Sequence, residues 1–267
     1  MLEILNYQFF QSALLVAFLS SIAAGIIGTY IVVKRMSLIS GSIAHTAFGG
    51  LGMSYFFGFN PLLGAIIFSL ASAMGIALFK KNAKNRIDTL LSFLWATGMA
   101  IGLVFIFLTP GYATDLFTYL FGNILLVSKF DILMIFLLDI IILGVVSLMF
   151  NSLLAVIFDE EYSETRNIPV TLVNIVLFVL IALTVVATIR VVGIILMIAI
   201  LTIPAATAQL FYRTIKMIML TSFLITLLAS ISGLFLSYYF NLVTGPIIVL
   251  IISSIYLGGI ILSKMRA

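Results

Sequence analysis

The sequence predicts an all-α polytopic membrane protein. Of its 267 residues, 64% are hydrophobic and only 8% are charged, and the mean hydropathy is +1.35. The apolar residues form long continuous runs, each close to the ~20 residues that a helix needs to cross a bilayer. Continuous runs exclude a membrane β-barrel, whose strands alternate apolar and polar residues.

Nine apolar runs are long enough to be spans. Turn signals or charges separate them, and we predict spans at about residues 9–33, 38–57, 62–79, 89–108, 132–157, 170–189, 192–211, 217–238 and 246–262. Basic residues collect in cytoplasmic loops, so the basic cluster at 80–86 is expected inside the cell. Counting from it places the N-terminus outside and the C-terminus in the cytoplasm. We see no linker or second domain, which predicts a single transmembrane domain over residues 1–267.

The stretch 116–128, LFTYLFGNILLVS, is too short to cross the membrane and too apolar for a free loop. Such backbone is tolerated at membrane depth where protein buries it. We therefore predict a short re-entrant helix there.

Residues 158–169, FDEEYSETRNIP, are highly charged although they lie between two apolar runs. Asp159 is suited to cap a helix whose first turn holds two glutamates, and the asparagine and proline that follow end such a helix. The stretch predicts a cytoplasmic helix of about two turns that docks to a partner. Its candidate docking residues are Asp159, Glu160, Glu161, Tyr162, Glu164, Arg166, Ile168 and Pro169.

The second span is unusually polar for a membrane helix. At helical spacing Gly41, His45, Gly49 and Gly52 share one stripe, with Ser42 beside it. Small residues at such intervals let helices approach closely. One interpretation is a packed helix whose imidazole is satisfied locally; the other is a metal pathway in which His45 meets the ion transiently.

Two positions outside the second span are also candidates. Asp139 lies inside the fifth span, where a carboxylate either bonds a neighbouring helix or serves a transport path, and the sequence favours neither. Pro204 interrupts a helical pattern and is, with Gly49, a candidate hinge or gate position.

The chain carries little that could do catalysis. It has one histidine, no cysteine and no phosphate-cradling glycine motif, so we expect no enzymatic activity and no ATP hydrolysis by this chain itself. The alternatives for its function are a transporter subunit driven by a separate ATPase, a self-sufficient secondary transporter or channel that uses Asp139, and, remotely, an intramembrane enzyme.

Several stretches resemble one family, the permease subunits of ABC importers for zinc or manganese. The similarity lies in MSLISGSIAHTA (36–47), LFGNILLVS (120–128), FDEEYSETRNIPV (158–170) and VGIILMIAILTIPAATAQL (192–210). The resemblance implies a homodimer, a helix arrangement similar to cobalamin and siderophore permeases without their first helix, two cytoplasmic ATPase subunits that receive the 158–169 helix, and an extracytoplasmic metal receptor. It implies a prokaryotic plasma membrane and no permanently bound cofactor, with zinc, manganese or iron as cargo. The family usually has an aspartate four residues before its histidine, and here that position is Gly41.

Overall fold

The computed structural model describes residues 6–82, 87–110, 122, 124 and 127–266. These ranges contain no β-strand, so the all-α fold is confirmed for the part of the chain that is described. Their helices are α1 Gln8–Val33, α2 Ser37–Phe56, α3 Pro61–Asn82, α4 Ile87–Leu108, α5 Lys129–Phe158, α6 Glu160–Thr165, α7 Val170–Val192, α8 Ile194–Phe211, α9 Ile215–Phe240 and α10 Thr244–Arg266.

Eight of the described helices are long and apolar enough to cross a membrane, which is one fewer than the sequence predicted. The ninth long helix, α2, spans 20 residues but is not among the eight. Its serines, glycines and His45 lower its hydropathy. Most of its side chains are buried, and it packs against α3 and α4, which lets so polar a helix lie within the protein.

Helix α5 begins three residues earlier than the sequence predicted. The backbone N–H and the hydroxyl of Ser128 both donate to a carboxylate oxygen of Asp131, at 3.1 and 2.5 Å. The backbone N–H of Asp131 lies 3.2 Å from the Ser128 hydroxyl oxygen, to which it donates. These reciprocal bonds stabilise the first turn, as in a capping box, and so the helix starts at Lys129.

Most of the predicted re-entrant helix at 116–128 lies outside the described residues, and it stays a prediction. Of this stretch, Gly122 has a positive φ of 72°. A Cβ on Gly122 would lie 2.2 Å from the backbone of Val192, beside the break between α7 and α8 at Gly193. Only glycine allows the backbone to approach this break so closely.

The chain forms two compact units. Unit 1 comprises Met1–Val33, Phe117–Ile141 and Ala187–Ala267, and in it α1 packs on α8 and α9, while α10 packs on the same two helices. Unit 2 comprises Lys34–Leu116 and Ile142–Val186, and in it α2 packs on α3 and α4. The single permease domain that the sequence predicts stays a prediction.

Glycines determine how closely α2 approaches α4. A Cβ on Gly49 would lie 2.8 Å from the carbonyl oxygen of Gly98, and one on Gly52 would lie 2.4 Å from that of Gly102. The two backbones are therefore in direct contact at two successive turns. This confirms the predicted close approach along the small-residue stripe.

We expect Gly52→Ala to destabilise the protein, because its methyl group would overlap the Gly102 carbonyl oxygen. Overpacking of this kind costs about 1–3 kcal/mol. The matched control is Gly75→Ala in α3, where nothing lies within 4 Å of the added carbon. Thermal unfolding midpoints in detergent compare the two variants, and equal midpoints would contradict the close contact.

Candidate functional site

Helix α6, Glu160–Thr165, is the polar helix that the sequence predicts between two spans. Asp159 is its N-cap, and its carboxylate accepts a hydrogen bond from the backbone N–H of Tyr162 at 2.9 Å. Glu160 and Glu161 occupy the first turn, where negative charge is favourable against the helix dipole. The short helix is thus stabilised at its N-terminus by its own sequence.

The C-terminus of α6 is closed by a left-handed residue. Asn167 has a φ of 58°, and the N–H of Ile168 donates to the carbonyl of Ser163 at 3.1 Å. This is the six-to-one bond of a Schellman motif, which satisfies carbonyls at a helix end. Pro169 follows and separates α6 from α7.

The outer surface of α6, together with the last residue of α5, combines aromatic rings and charge. Phe158 and Tyr162 are 69% and 52% exposed. Arg166 donates from Nε to the Tyr162 hydroxyl at 3.0 Å, and its guanidinium carbon lies 5.5 Å from the centre of that ring. Glu161 and Glu164 are also exposed. Two exposed aromatic rings beside several charges are a surface suited to protein contact.

The inner side of α6 is fixed by a polar network centred on Lys34. Its ammonium lies 2.9 Å from the carboxylate of Glu160 and donates to the side-chain oxygen of Asn174 in α7 at 2.5 Å. The Asn174 amide in turn donates to Glu160 at 3.4 Å. The Lys34 side chain is only 7% exposed, so this cation depends on its partners for solvation. The network joins α6 to the residues that immediately precede α2.

We expect Lys34→Met to loosen α6. Glu160 is 35% exposed and keeps some solvation, so the loss should fall between a surface and a buried pair, about 1–3 kcal/mol. Hydrogen exchange at the amides of 160–165 should become faster. The control is Lys264→Met, at an exposed lysine. The charge swap Lys34→Glu with Glu160→Lys should recover part of the loss, and a double-mutant cycle without coupling would contradict the network.

His45 stacks on an aromatic ring of α4. The imidazole and the Trp95 ring have centroids 4.4 Å apart and planes inclined by 25°. His45 Nδ1 is buried and has no hydrogen-bond partner among the described residues. Gly41, one turn earlier, lies under the same ring, because a Cβ there would be 2.0 Å from a Trp95 ring carbon. The structure therefore brings Gly41 and His45 together beneath one indole.

Ser42 has a packing contact as well as a place beside His45. Its hydroxyl oxygen lies 2.7 Å from the carbonyl oxygen of Leu38 and 2.9 Å from that of Leu91 in α4, and it is fully buried. The hydroxyl proton is thus engaged by helix carbonyls, and Ser42 joins α2 to α4. A role for Ser42 in the metal pathway stays a prediction.

Asp139 is 3% exposed in α5, and neither carboxylate oxygen has a hydrogen-bond partner among the described residues. It belongs to unit 1, whereas Gly41, Ser42 and His45 belong to unit 2. A buried carboxylate without donors is costly in a membrane helix, which agrees with a functional interpretation. Its place in a metal pathway stays a prediction.

The two candidate hinge positions lie inside helices. Pro204 is buried within α8 and leaves one carbonyl of the preceding turn without its backbone donor. Gly49 lies in an α2 that runs without interruption from Ser37 to Phe56, where it contacts Gly98. Gly49 therefore has a packing reason of its own, and both hinge assignments stay predictions.

The described residues contain no group of three or more His, Cys, Asp or Glu side chains that could hold a metal ion. A cavity of about 270 Å³ in unit 1 is lined by Ile195, Leu196, Gly245, Pro246, Val249 and Leu250. This lining offers no side-chain ligand.

Three residues of the site were not singled out from the sequence: Lys34 as an anchor of α6, Asn174 and Trp95. The sequence contains a signal for Trp95, because it is the only tryptophan in the chain and lies in a span. Lys34 was interpreted only as a topology marker. Asn174 also had a signal in the sequence: it is a polar amide four residues into an apolar helix, where a side chain needs a hydrogen-bond partner.

The fold and the short polar helix between two spans define a multi-pass membrane protein with an exposed, charged helix between two of its spans. The chain belongs to the ABC 3 transport family, whose sequence profile matches residues 6–263. The manganese transport system membrane protein MntC of Listeria monocytogenes is 33% identical over 272 residues, which cover 98% of this chain and 96% of that protein.

Two solved structures resemble this fold. A chain of PsaBC from Streptococcus pneumoniae in complex with Fab has a TM-score of 0.86 and 34% identity, covering 97% of this chain and 93% of that one. An inward-facing metal-chelate type ABC transporter has a TM-score of 0.74 with 17% identity, covering 98% of this chain and 88% of that one, and shows the fold alone. The permease fold predicted from the sequence is confirmed.

Proposed function

We propose that this chain is the membrane-spanning subunit of an ATP-driven importer of divalent metal ions. Two copies form the translocation pathway, and a separate cytoplasmic ABC ATPase hydrolyses ATP. An extracytoplasmic receptor protein delivers zinc, manganese or iron. Membership of the ABC 3 transport family and the similarity to a protein named for manganese transport support this proposal.

The observation that carries the proposal is the construction of α6. A helix of only six residues is marginal in water, yet this one is capped at both ends and tied to Lys34 and Asn174. Its aromatic and charged side remains exposed. A short helix held in this way can transmit a movement of a bound partner to the membrane helices, because its contacts with Lys34 and Asn174 are already formed.

A movement of α6 would reach the helix that carries His45 through Lys34. Lys34 is three residues before the start of α2, and His45 lies eight residues into that helix, about 12 Å along its axis. A displacement of α6 would therefore act on the base of the helix that carries the candidate metal contact. The basic loops support a location of α6 and the C-terminus in the cytoplasm of a prokaryotic cell, with the N-terminus outside.

We expect Tyr162→Ala to impair ATPase binding while leaving the fold intact, because half of the removed side chain is exposed. An aromatic anchor of an interface typically contributes about 2 kcal/mol or more, which corresponds to a loss of affinity of about thirtyfold or more. Co-purification with the ATPase and metal-stimulated ATP turnover measure this. Tyr239→Ala, at another exposed tyrosine, is the control. Full coupling in Tyr162→Ala would count against α6 as the docking element.

We expect both His45→Ala and His45→Phe to lower metal uptake by about tenfold or more, because losing even an outer-shell partner of a metal ligand costs about 10–100-fold in metal affinity or activity. His45→Phe retains a ring to stack on Trp95, so it separates the loss of a ligand from the loss of packing. Uptake is measured in vesicles that contain the complete transporter. Uptake by His45→Phe equal to that of the unaltered protein would reject the ligand role of His45.

A second candidate function is a self-sufficient secondary transporter or channel for a cation, which the buried unpartnered Asp139 carboxylate favours. It predicts metal flux through the purified chain in liposomes without ATP or an ATPase. An ATP-driven importer predicts none under those conditions. Flux that is abolished by Asp139→Asn would establish this second function in place of the first.

A further inference from the structure

A residue in an unfavourable backbone conformation joins α1 to α2. Among the described residues other than glycine, the positive φ angles are 55° at Arg35, 58° at Asn167 and 50° at Asn241. Each of these residues follows a helix, where the left-handed conformation is common and is usually adopted by glycine or asparagine. For arginine this conformation is costly, because Cβ comes too close to the following carbonyl oxygen. Arg35 is therefore the strained member of the three.

The first residues of α2 also lack local stabilisation. Met36 is the N-cap of α2, and its side chain makes no capping hydrogen bond. The residues that stabilise this position are serine, threonine, aspartate and asparagine, and Asp159 supplies such a cap for α6. The local sequence thus disfavours the conformation of the α1–α2 connection. Contacts on either side of the connection must hold it in place.

The structure is fixed on both sides of this connection within unit 2. On one side, the Lys34 ammonium lies 2.9 Å from the Glu160 carboxylate of α6. On the other side, the backbone of α2 contacts that of α4 at two successive turns. Only Arg35 and Met36 lie between Lys34 and the first residue of α2. A displacement of α6 that is carried through Lys34 is therefore absorbed by the φ and ψ angles of these two residues.

We infer that Arg35 is the hinge between the docking helix α6 and the helix that carries His45. In the resting protein Arg35 is held in the left-handed conformation, and it leaves this conformation when a bound ATPase displaces α6. Release of the strain at Arg35 favours that movement. Hinges are typically residues at the ends of helices, as Arg35 is, whereas Pro204 and Gly49 lie inside helices. The inference rests on the proposed function.

The first experiment measures the strain at position 35 in the full chain in detergent. Arg35→Ala and Arg35→Gly remove the same guanidinium group, but only glycine adopts a positive φ without a Cβ clash. We therefore expect the thermal unfolding midpoint of Arg35→Gly to lie about 2–4 °C above that of Arg35→Ala. Within an ordinary helix alanine is the more stable of the two, so an equal or lower midpoint for Arg35→Gly would overturn the inference.

The second experiment measures whether α2 moves relative to α6. The chain has no cysteine, so nitroxide labels can be attached at Tyr55→Cys in the last turn of α2 and Thr165→Cys at the end of α6, where both side chains are exposed. Electron paramagnetic resonance gives the distance between the labels in the complete transporter in nanodiscs, and single-cysteine variants identify distances between copies of the chain. We expect the non-hydrolysable ATP analogue AMP-PNP to produce a second distance. A single unchanged distance would overturn the inference.

The same labels test whether strain at Arg35 drives the movement. Glycine removes the cost of the resting conformation, so we expect the ratio of moved to resting protein in Arg35→Gly to be about fivefold lower than in Arg35→Ala. The matched control is Asn241→Gly, which changes a left-handed residue at the end of α9 and should leave the ratio unchanged. Equal ratios in Arg35→Gly and Arg35→Ala would overturn the inference.

The outcomes separate the inference from the proposed function. If the unaltered chain does not co-purify with an ATPase, the proposed function fails, and the inference fails with it. If the complete transporter imports metal but the labels report one distance, the inference alone fails. Should the labels impair assembly, hydrogen exchange of the Ile39 amide, which donates to the Met36 carbonyl at 2.9 Å, decides the question in the unlabelled transporter. Faster exchange with AMP-PNP supports the hinge, and unchanged exchange overturns it.

Discussion

Direct backbone contact between α2 and α4 is the constraint on which the candidate pathway depends. Lipid tails are as apolar as leucine side chains, so helices in a bilayer gain little by burying apolar surface and associate through close packing. At the pairs Gly49–Gly98 and Gly52–Gly102, the polypeptide backbones of α2 and α4 are in contact. This contact allows a helix with a histidine and several hydroxyls to be covered by protein.

The same contact decides what lies beside the histidine. Because α4 lies so close to α2, a large side chain on the surface of α4 that faces α2 fits only against a small residue. The Trp95 ring packs against Gly41. The ring then stacks on His45 and restricts its orientation. The glycine at position 41 therefore admits the indole that packs against the imidazole.

Around α6, the main stabilising interaction in unit 2 is the polar network of Lys34, Glu160 and Asn174. A nearly buried lysine is unfavourable unless it is paired, and Lys34 is paired with Glu160 and hydrogen-bonded to Asn174. The glutamate belongs to a short helix that faces outward, and the lysine precedes the helix that carries His45. The candidate docking helix α6 and the candidate metal contact His45 are thus connected within unit 2 through Lys34. In the proposed importer, this connection would link ATP hydrolysis by the partner to the pathway.

The sequence by itself determined the fold class, because continuous apolar runs permit little besides membrane helices. It also determined the short polar helix α6, since Asp159, the two glutamates and the Asn167–Pro169 ending act through neighbours in the chain. It identified Gly41 and His45 as one stripe. It did not reveal the Trp95 stack or the Lys34 network, because their partners are about 50 and about 130 residues apart and only helix packing brings them together. The tertiary structure therefore decided which side chains face His45, since contact across helices has no local pattern in the sequence.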